Sequence, residues 1–423
     1  MTVRRFDVAS WLDSPLSRRR MDLSRFAEER SVVADICAQV RKRGDDALRE
    51  LGKRFEGWAP AAGESFEVPR SEIERALERL DDGDRAALEF AADRIRAFHE
   101  LQRPAEFVGS SGLFLRTAPV QRAGLYAPGG RASYPSTVLM TAIPARVAGV
   151  ERVVLATPPR PDGSVPAAIL AAAQIAGVDA VYRVGGAQAI AALAYGTASI
   201  PAVDVVAGPG NIYVTLAKKE VFGAVGVDGI AGPTEVLVLA DAGARPDFVA
   251  ADLAAQLEHD PLAWGILITD SAALADRVEE ELENLTRGLE RAEIIRAANC
   301  CVIVADDMAQ ATDLANDFAP EHLLIVAADA DRLAARRPNA GAIFIGPYAT
   351  VPLGDYTAGP NHTLPTSGAA RFASPLGVHT FLKRTSLLSL NRGDLETLRD
   401  ATVRLAELEG LGAHAHAVEV RLE

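Results

Sequence analysis

The sequence predicts an α/β protein: two parallel-sheet βαβ blocks with a cleft between them, and helical segments at both ends. Short β-branched runs such as "VVLAT", "AVYRVGG", "VDVVAGPG", "TEVLVLAD", "WGILITD" and "CCVIVAD" each give way to a helix-like stretch. Strands alternating with helices build parallel sheets covered on both faces. The alternation runs to about ten strands, more than one layer usually holds, so it divides into two sheets. A chain of 423 residues also exceeds one ordinary core.

In chain order, the stretch from Ser31 to about Phe90 is helical, because Val32, Val33, Ile36 and Val40 recur at spacings of three and four. Gly44 and Asp45 close one helix and open the next. From Val153 strands and helices alternate, with the turn Pro161-Asp162-Gly163 between two of them, and from "TEVLVLAD" the alternation begins afresh. After Gly346 the stretch "PYATVPLGDYTAGPNHTLPT" reads as a loop too long to be a mere connection. Near the C-terminus Leu395, Leu398, Ala401, Leu405 and Leu408 form one helical stripe, and Gly410 ends it.

The net charge of −13, from 57 acidic and 44 basic residues, argues against nucleic acid or an anionic membrane as partner. The cluster Arg18-Arg19-Arg20 reads as a solvated face. Cys37, Cys300 and Cys301 make neither a disulfide framework nor a zinc knuckle, and the last two open an apolar run that reads as a buried strand. A reducing cytoplasm is the expected compartment. "MTVRRFDVASWLDSP" lacks the apolar core of a cleaved signal, and no apolar run has the length of a membrane span.

Candidate chemistry begins with Gln256 and His259 in "QLEH", which share a helix face and form half of a metal site or an ordinary surface pair. Glu321 and His322 in "APEHL" pair a carboxylate with an imidazole that can divide acid and base duties, or simply end a helix in solvent. Asp355 offers a hard anionic oxygen suited to zinc or another divalent ion. His362 shares its loop, Glu409 and His414 lie at the tail, and His99 and His379 read as structural. "YRVGGAQAIAAL" and "VVAGPGNIYVTLAKK" turn from strand to helix through glycines, a geometry that presents amides to a phosphate. Neither is GxGxxG and no acidic residue stands as a ribose anchor, so an anion- or dinucleotide-binding edge competes with simple tight turns.

Taken in order, "GLYAPGG", "GGAQAIAALAYG", "GPGNIYVTLAKK", "VDGIAGPTEVLVLAD", "DLAAQLEHDP", "APEHL", "GDYTAGPNHTLPT" and "EGLGAHAHAV" closely resemble the histidinol dehydrogenase family, from about Arg25 to the C-terminus. The resemblance implies a cytoplasmic, zinc-bound, NAD-dependent homodimer that oxidises L-histidinol through L-histidinal to L-histidine, the last two steps of histidine biosynthesis. It implies incomplete Rossmann-like domains: an N-terminal arm over 1–24, a first domain over 25–120 and 230–375, a cofactor-binding domain over 121–229, and a helical dimerisation arm over 376–423.

By motif, Gln256, His259, Asp355 and His414 fall on zinc ligands, with His414 coming from the second subunit. Glu321 and His322 fall on the catalytic pair. Thr234, where many members have serine, falls on a substrate position together with Glu409, His322 and the zinc ligands. Tyr126, Gln188 and Asn211 fall on cofactor positions, and His362 is left a supporting role. The implied mechanism has His322 take the hydroxyl proton as hydride leaves for NAD, and Glu321 activate water for the second oxidation. Rival readings are a related zinc and NAD dehydrogenase for another amino- or sulfo-alcohol, a metal-dependent hydrolase, and a nucleotide-binding regulator.

Overall fold

In the computed structural model residues 2–18, 20–110, 112–129 and 133–423 are described. Arg19 of the basic cluster lies outside them. Contacts divide the chain into two units, Met1–Arg103 with Val120–Phe381, and Pro104–Pro119 with Leu382–Glu423.

Within the first unit, the strands β1 (Val3–Asp7), β9 (Glu235–Ala240), β10 (Trp264–Thr269), β11 (Asn299–Val304), β12 (His322–Val326) and β13 (Ala342–Ile345) form one parallel sheet in the order β1-β11-β10-β9-β12-β13. Every residue of β9 and β10 is buried. Their side chains alternate between two cores: Val236 and Val238 point to one face, Leu237 and Leu239 to the other. Cys300 and Cys301 are buried in β11 as expected.

A second parallel sheet in the same unit runs β6-β5-β4-β7-β8, from β4 (Arg122–Tyr126), β5 (Arg152–Thr157), β6 (Ala180–Arg183), β7 (Val205–Ala207) and β8 (Gly226–Val227). Two βαβ sheets are therefore present, with a strand-order reversal at β4/β7 in one and at β9/β12 in the other.

Two of the expected domain edges differ. The sequence sets residues 1–24 apart as an arm, whereas Val3–Asp7 is an edge strand on β11. Trp11 is buried in that lobe's core, stacked edge-on to Phe6 and tilted on Phe318. Burial of these apolar residues outweighs the freedom of a detached segment. Residues from 25 were expected with the β9–β13 lobe, but helices α1 (Ala27–Arg43) and α2 (Asp45–Phe55) pack on the other sheet. Val33, Ile36, Leu48 and Leu51 share a core with Val154, Tyr182 and Ile190, and Val68 N–H donates to the Val181 carbonyl at 2.8 Å. Gly44, at φ 55°, makes the α1–α2 corner that its sequence position suggests.

The second unit holds an antiparallel sheet β14-β3-β2, from β2 (Phe107–Ser110), β3 (Leu113–Pro119) and β14 (Leu382–Leu388). The C-terminal arm expected to be helical over 376–423 thus contains a strand, because β14 finds its partner more than 260 residues earlier. A helix from Arg392 to Leu408 follows, then one from Gly412 to Glu419. Leu398, Leu405 and Leu408 stand 48%, 60% and 70% exposed in the single chain.

Candidate active site

Glu321 and His322 reach the site because the helix Met308–Phe318 stops at Ala319, in the left-handed conformation, and Pro320 follows. Strand β12 then starts at His322, opposite Val236. Both residues lie at the amino edge of the six-stranded sheet. The helix α3 (Pro246–Leu257) runs back from β9, so its C-terminal end returns Gln256 and His259 to that edge. Asp355, expected in a loop, occupies the last turn of a short helix, α4 (Val351–Tyr356), after β13. Thr350-Val351-Pro352 starts that helix, with proline in the first turn where no N–H is needed.

The polar groups there form one connected set. Oε2 of Glu321 accepts from the Thr234 hydroxyl at 2.5 Å and from the Glu235 N–H at 2.8 Å. Gln256 Nε2 donates to the same Thr234 oxygen. With its amide turned that way, Gln256 leaves Oε1 buried and without a hydrogen-bond partner. His322 is 3% exposed; its Nδ1 lies 2.9 Å from the Glu235 carbonyl, which fixes the proton there, and Nε2 has no hydrogen-bond partner.

Electrostatics follow from burial and pairing. Burial pushes the Glu321 carboxyl up, while the His322 charge and the two hydrogen bonds pull it back in part. Burial by itself would lower His322, but Glu321 at 3.6 Å and Asp355 at 3.8 Å outweigh it and push the imidazole up to about 9. Asp355 is raised by burial, yet His322, His362 and His259 together hold it below the usual carboxylate range. His259 is exposed at its surface, yet desolvation still lowers its pKa against the pull of Asp355.

His362 braces this edge: Nδ1 lies 3.0 Å from the Asp355 carbonyl and Nε2 3.3 Å from the Thr137 hydroxyl of the neighbouring lobe. His99 is fully buried and hydrogen-bonded to Gln102, the structural role expected, whereas His379 is exposed.

Tyr126, Gln188 and Asn211 gather at the carboxyl edge of the five-stranded sheet, beside the reversal at β4 and β7. Parallel sheets bind nucleotides at such a crevice. Tyr126 ends β4, and its hydroxyl accepts from the Gly186 N–H at 3.0 Å. Gln188 Nε2 donates to Glu56 at 3.3 Å, and Glu56 also accepts from the Gly185 N–H at 2.5 Å. The amides of the "VGG" turn are thus already taken by a carboxylate and a phenol, so this turn is a poor phosphate cradle. Asn211 is exposed and caps the next helix through the Tyr213 and Val214 amides. Its loop is pinned by a buried ion pair, Lys218 with Asp228: Lys218 Nζ reaches the Gly208 carbonyl at 3.1 Å and Asp228 accepts the Gly208 N–H at 2.8 Å. Gly208, at φ 126°, has no room for a Cβ, which would lie 2.1 Å from the Tyr126 carbonyl oxygen.

A family model for histidinol dehydrogenase matches residues 18–422. The chain belongs to the histidinol dehydrogenase family. Histidinol dehydrogenase from Parasynechococcus marenigrum is 50% identical over 411 residues, 96% of this chain and 93% of that one. The enzyme of a Synechococcus strain is 52% identical over 396 residues, 92% and 91% of the two chains. The crystal structure of histidinol dehydrogenase from Elizabethkingia anophelis superposes with a TM-score of 0.90 at 32% identity, covering 99% of this chain and 98% of the other. As a histidinol dehydrogenase the chain is an oxidoreductase of histidine biosynthesis.

The first unit thus brings together Thr234, Gln256, Glu321, His322 and Asp355, with His259 alongside. Glu409 and His414 belong to the second unit, the former closing its long helix and the latter in the first turn of the next, both exposed. Among the described residues no group of three or more His, Cys, Asp or Glu is arranged to hold a metal ion by itself. Sequence reasoning missed Glu56, which closes a helix 129 residues before its partner Gly185 and carries no local signal. It also missed Asp252, an acid one turn before Gln256 and well past the first turn where Asp247 stands, and a charge that far along a largely apolar helix was a readable signal.

Proposed function

We propose that this histidinol dehydrogenase oxidises L-histidinol through L-histidinal to L-histidine, reducing two NAD in succession, with one zinc ion per subunit. The orphaned Gln256 Oε1, buried at the sheet edge, is the observation that carries the metal reading. A buried acceptor without a donor is costly unless something electropositive meets it. Gln256, His259 and Asp355 offer an amide oxygen, an imidazole nitrogen and a carboxylate oxygen, a set that fits zinc. His414 from a second copy of the chain would complete it. When bound, the ion supplies a Lewis-acidic anchor for the substrate.

The proton chemistry belongs to His322 and Glu321. The Glu235 carbonyl holds Nδ1–H, so Nε2 is the atom that takes the substrate hydroxyl proton while hydride passes from the carbinol carbon to NAD. Asp355 would hold the ion, and with its charge so engaged its pull on the His322 proton would be weaker, which would leave the imidazole readier to accept. Thr234 and the Glu235 N–H hold one oxygen of Glu321, leaving the other to take a proton from water as it adds to the aldehyde. The hydrate then loses its second hydride to a second NAD and becomes the carboxylate. Tyr126, Gln188 and Asn211 are the proposed cofactor contacts, and the sheet reversal beside them supports that reading.

The homodimer is supported by the exposed leucines of the C-terminal helix, and the cytoplasmic placement by three free, buried cysteines. Among the described residues no helix is long and apolar enough to cross a membrane. The test is purified protein with zinc, NAD and histidinol: two NADH per histidine formed is expected. A one-to-one yield of NADH and free aldehyde, or no NADH, would overturn the four-electron reading.

A further inference from the structure

Asp252 is a buried carboxylate, 8% exposed, to which the chemistry above gives no task. It sits on α3 one turn before Gln256, and residues four apart share a helix face. Its carboxylate accepts from the Thr350 hydroxyl. Thr350 is the residue before α4, and its own side chain makes no capping bond to that helix. Asp252 therefore ties the start of α4 to another helix by holding the hydroxyl of the residue that flanks it.

A helix of six residues has no stability of its own, so outside contacts decide where α4 sits. Asp252 grips its start. Phe344 packs so closely on Gly354 that an added Cβ would lie 2.7 Å from the ring. His362 meets the Asp355 carbonyl at its end. Gln256 lies in the last turn of α3, His259 follows two residues past its end rather than on the helix as the sequence suggested, and Asp355 rides on α4.

We infer that Asp252 is a positioning residue that locks α4 to α3 and so sets the spacing of Asp355 from Gln256 and His259. The inference rests on the zinc-ligand reading of those three residues. Groups that orient metal ligands from behind change affinity by about 10- to 100-fold when removed.

The experiment measures zinc affinity of the full-length protein by competition with a chromophoric chelator, and thermal unfolding of the zinc-stripped protein. Asp252→Ala is expected to weaken zinc by about tenfold or more. Asp252→Asn, which keeps one acceptor, should recover most of that loss. A purely structural role would lower the melting temperature of the stripped protein and leave zinc affinity unchanged, and that result overturns the proposal. If Asp252→Ala does not fold, Thr350→Val decides: it removes the hydroxyl that Asp252 holds, and wild-type zinc affinity there refutes the lock. Asp355→Ala is the control. If it retains wild-type affinity, the ligand reading itself fails and the lock with it; if it loses zinc while Asp252→Ala does not, only the lock fails.

Discussion

The Thr234 hydroxyl donates to Oε2 of Glu321 at 2.5 Å while receiving a hydrogen bond from Gln256. One small side chain thus holds the proposed water-activating carboxylate and orients the proposed amide ligand. Thr234→Val keeps the shape but removes both bonds. A hydrogen bond to a charged group contributes about 1.5–3 kcal/mol, so histidinal oxidation should slow by about 10- to 100-fold. Thr234→Ser should stay near wild type. Stopped-flow NADH formation from histidinal is the measurement, and an unchanged rate in the valine variant would refute the role.

His322→Asn removes Nε2, the proposed proton acceptor, from the buried edge. Loss of a positioned general base costs about 10²- to 10⁴-fold, so NADH formation from histidinol should collapse while zinc content stays at wild type. Undiminished turnover of histidinol would sink the assignment.

Glu321→Gln keeps the hydrogen-bonding shape but cannot take a proton from water. It should impair oxidation of histidinal more than that of histidinol when each is supplied separately. Equal loss in both would assign Glu321 to positioning instead.

Glu56 makes a prediction about stability. Burial is the main cause that pushes its carboxyl from 4.5 up to about 7, against hydrogen bonds from Gly185 and Gln188 that lower it. An acid with a raised folded-state pKa binds its proton more tightly folded than unfolded. Its stabilising contribution is complete below pH 4.5 and is lost as pH rises through about 7. Melting temperatures across that window should therefore fall less steeply with pH in Glu56→Gln than in wild type, and identical slopes would count against it.

A chain cut after Glu407 lacks Glu409 and His414. If His414 completes a shared site, the truncated protein should fail to retain zinc on gel filtration although its parallel sheets still fold. Full zinc occupancy in the truncated chain would remove His414 from the ligand set.

The sequence by itself determined the two parallel sheets, the corner at Gly44 and the helix stop at Gly410, and it supplied the residues from which the proposed site is drawn. These are local properties: β-branched runs, glycine punctuation and contiguous motifs report on their own few residues. Tertiary structure decided everything that depends on choice of partner. Val3–Asp7 became an edge strand because β11 had an open side, and α1 and α2 settled on the sheet of Tyr182. Leu382–Leu388 became a strand only by meeting Leu113–Pro119. Gln256 Oε1 is orphaned only because Thr234 turns the amide, and Asp252 has a task only because α4 packs within reach. In each case the pairing joins residues distant in the chain, and its energy exists only once the fold has desolvated both partners.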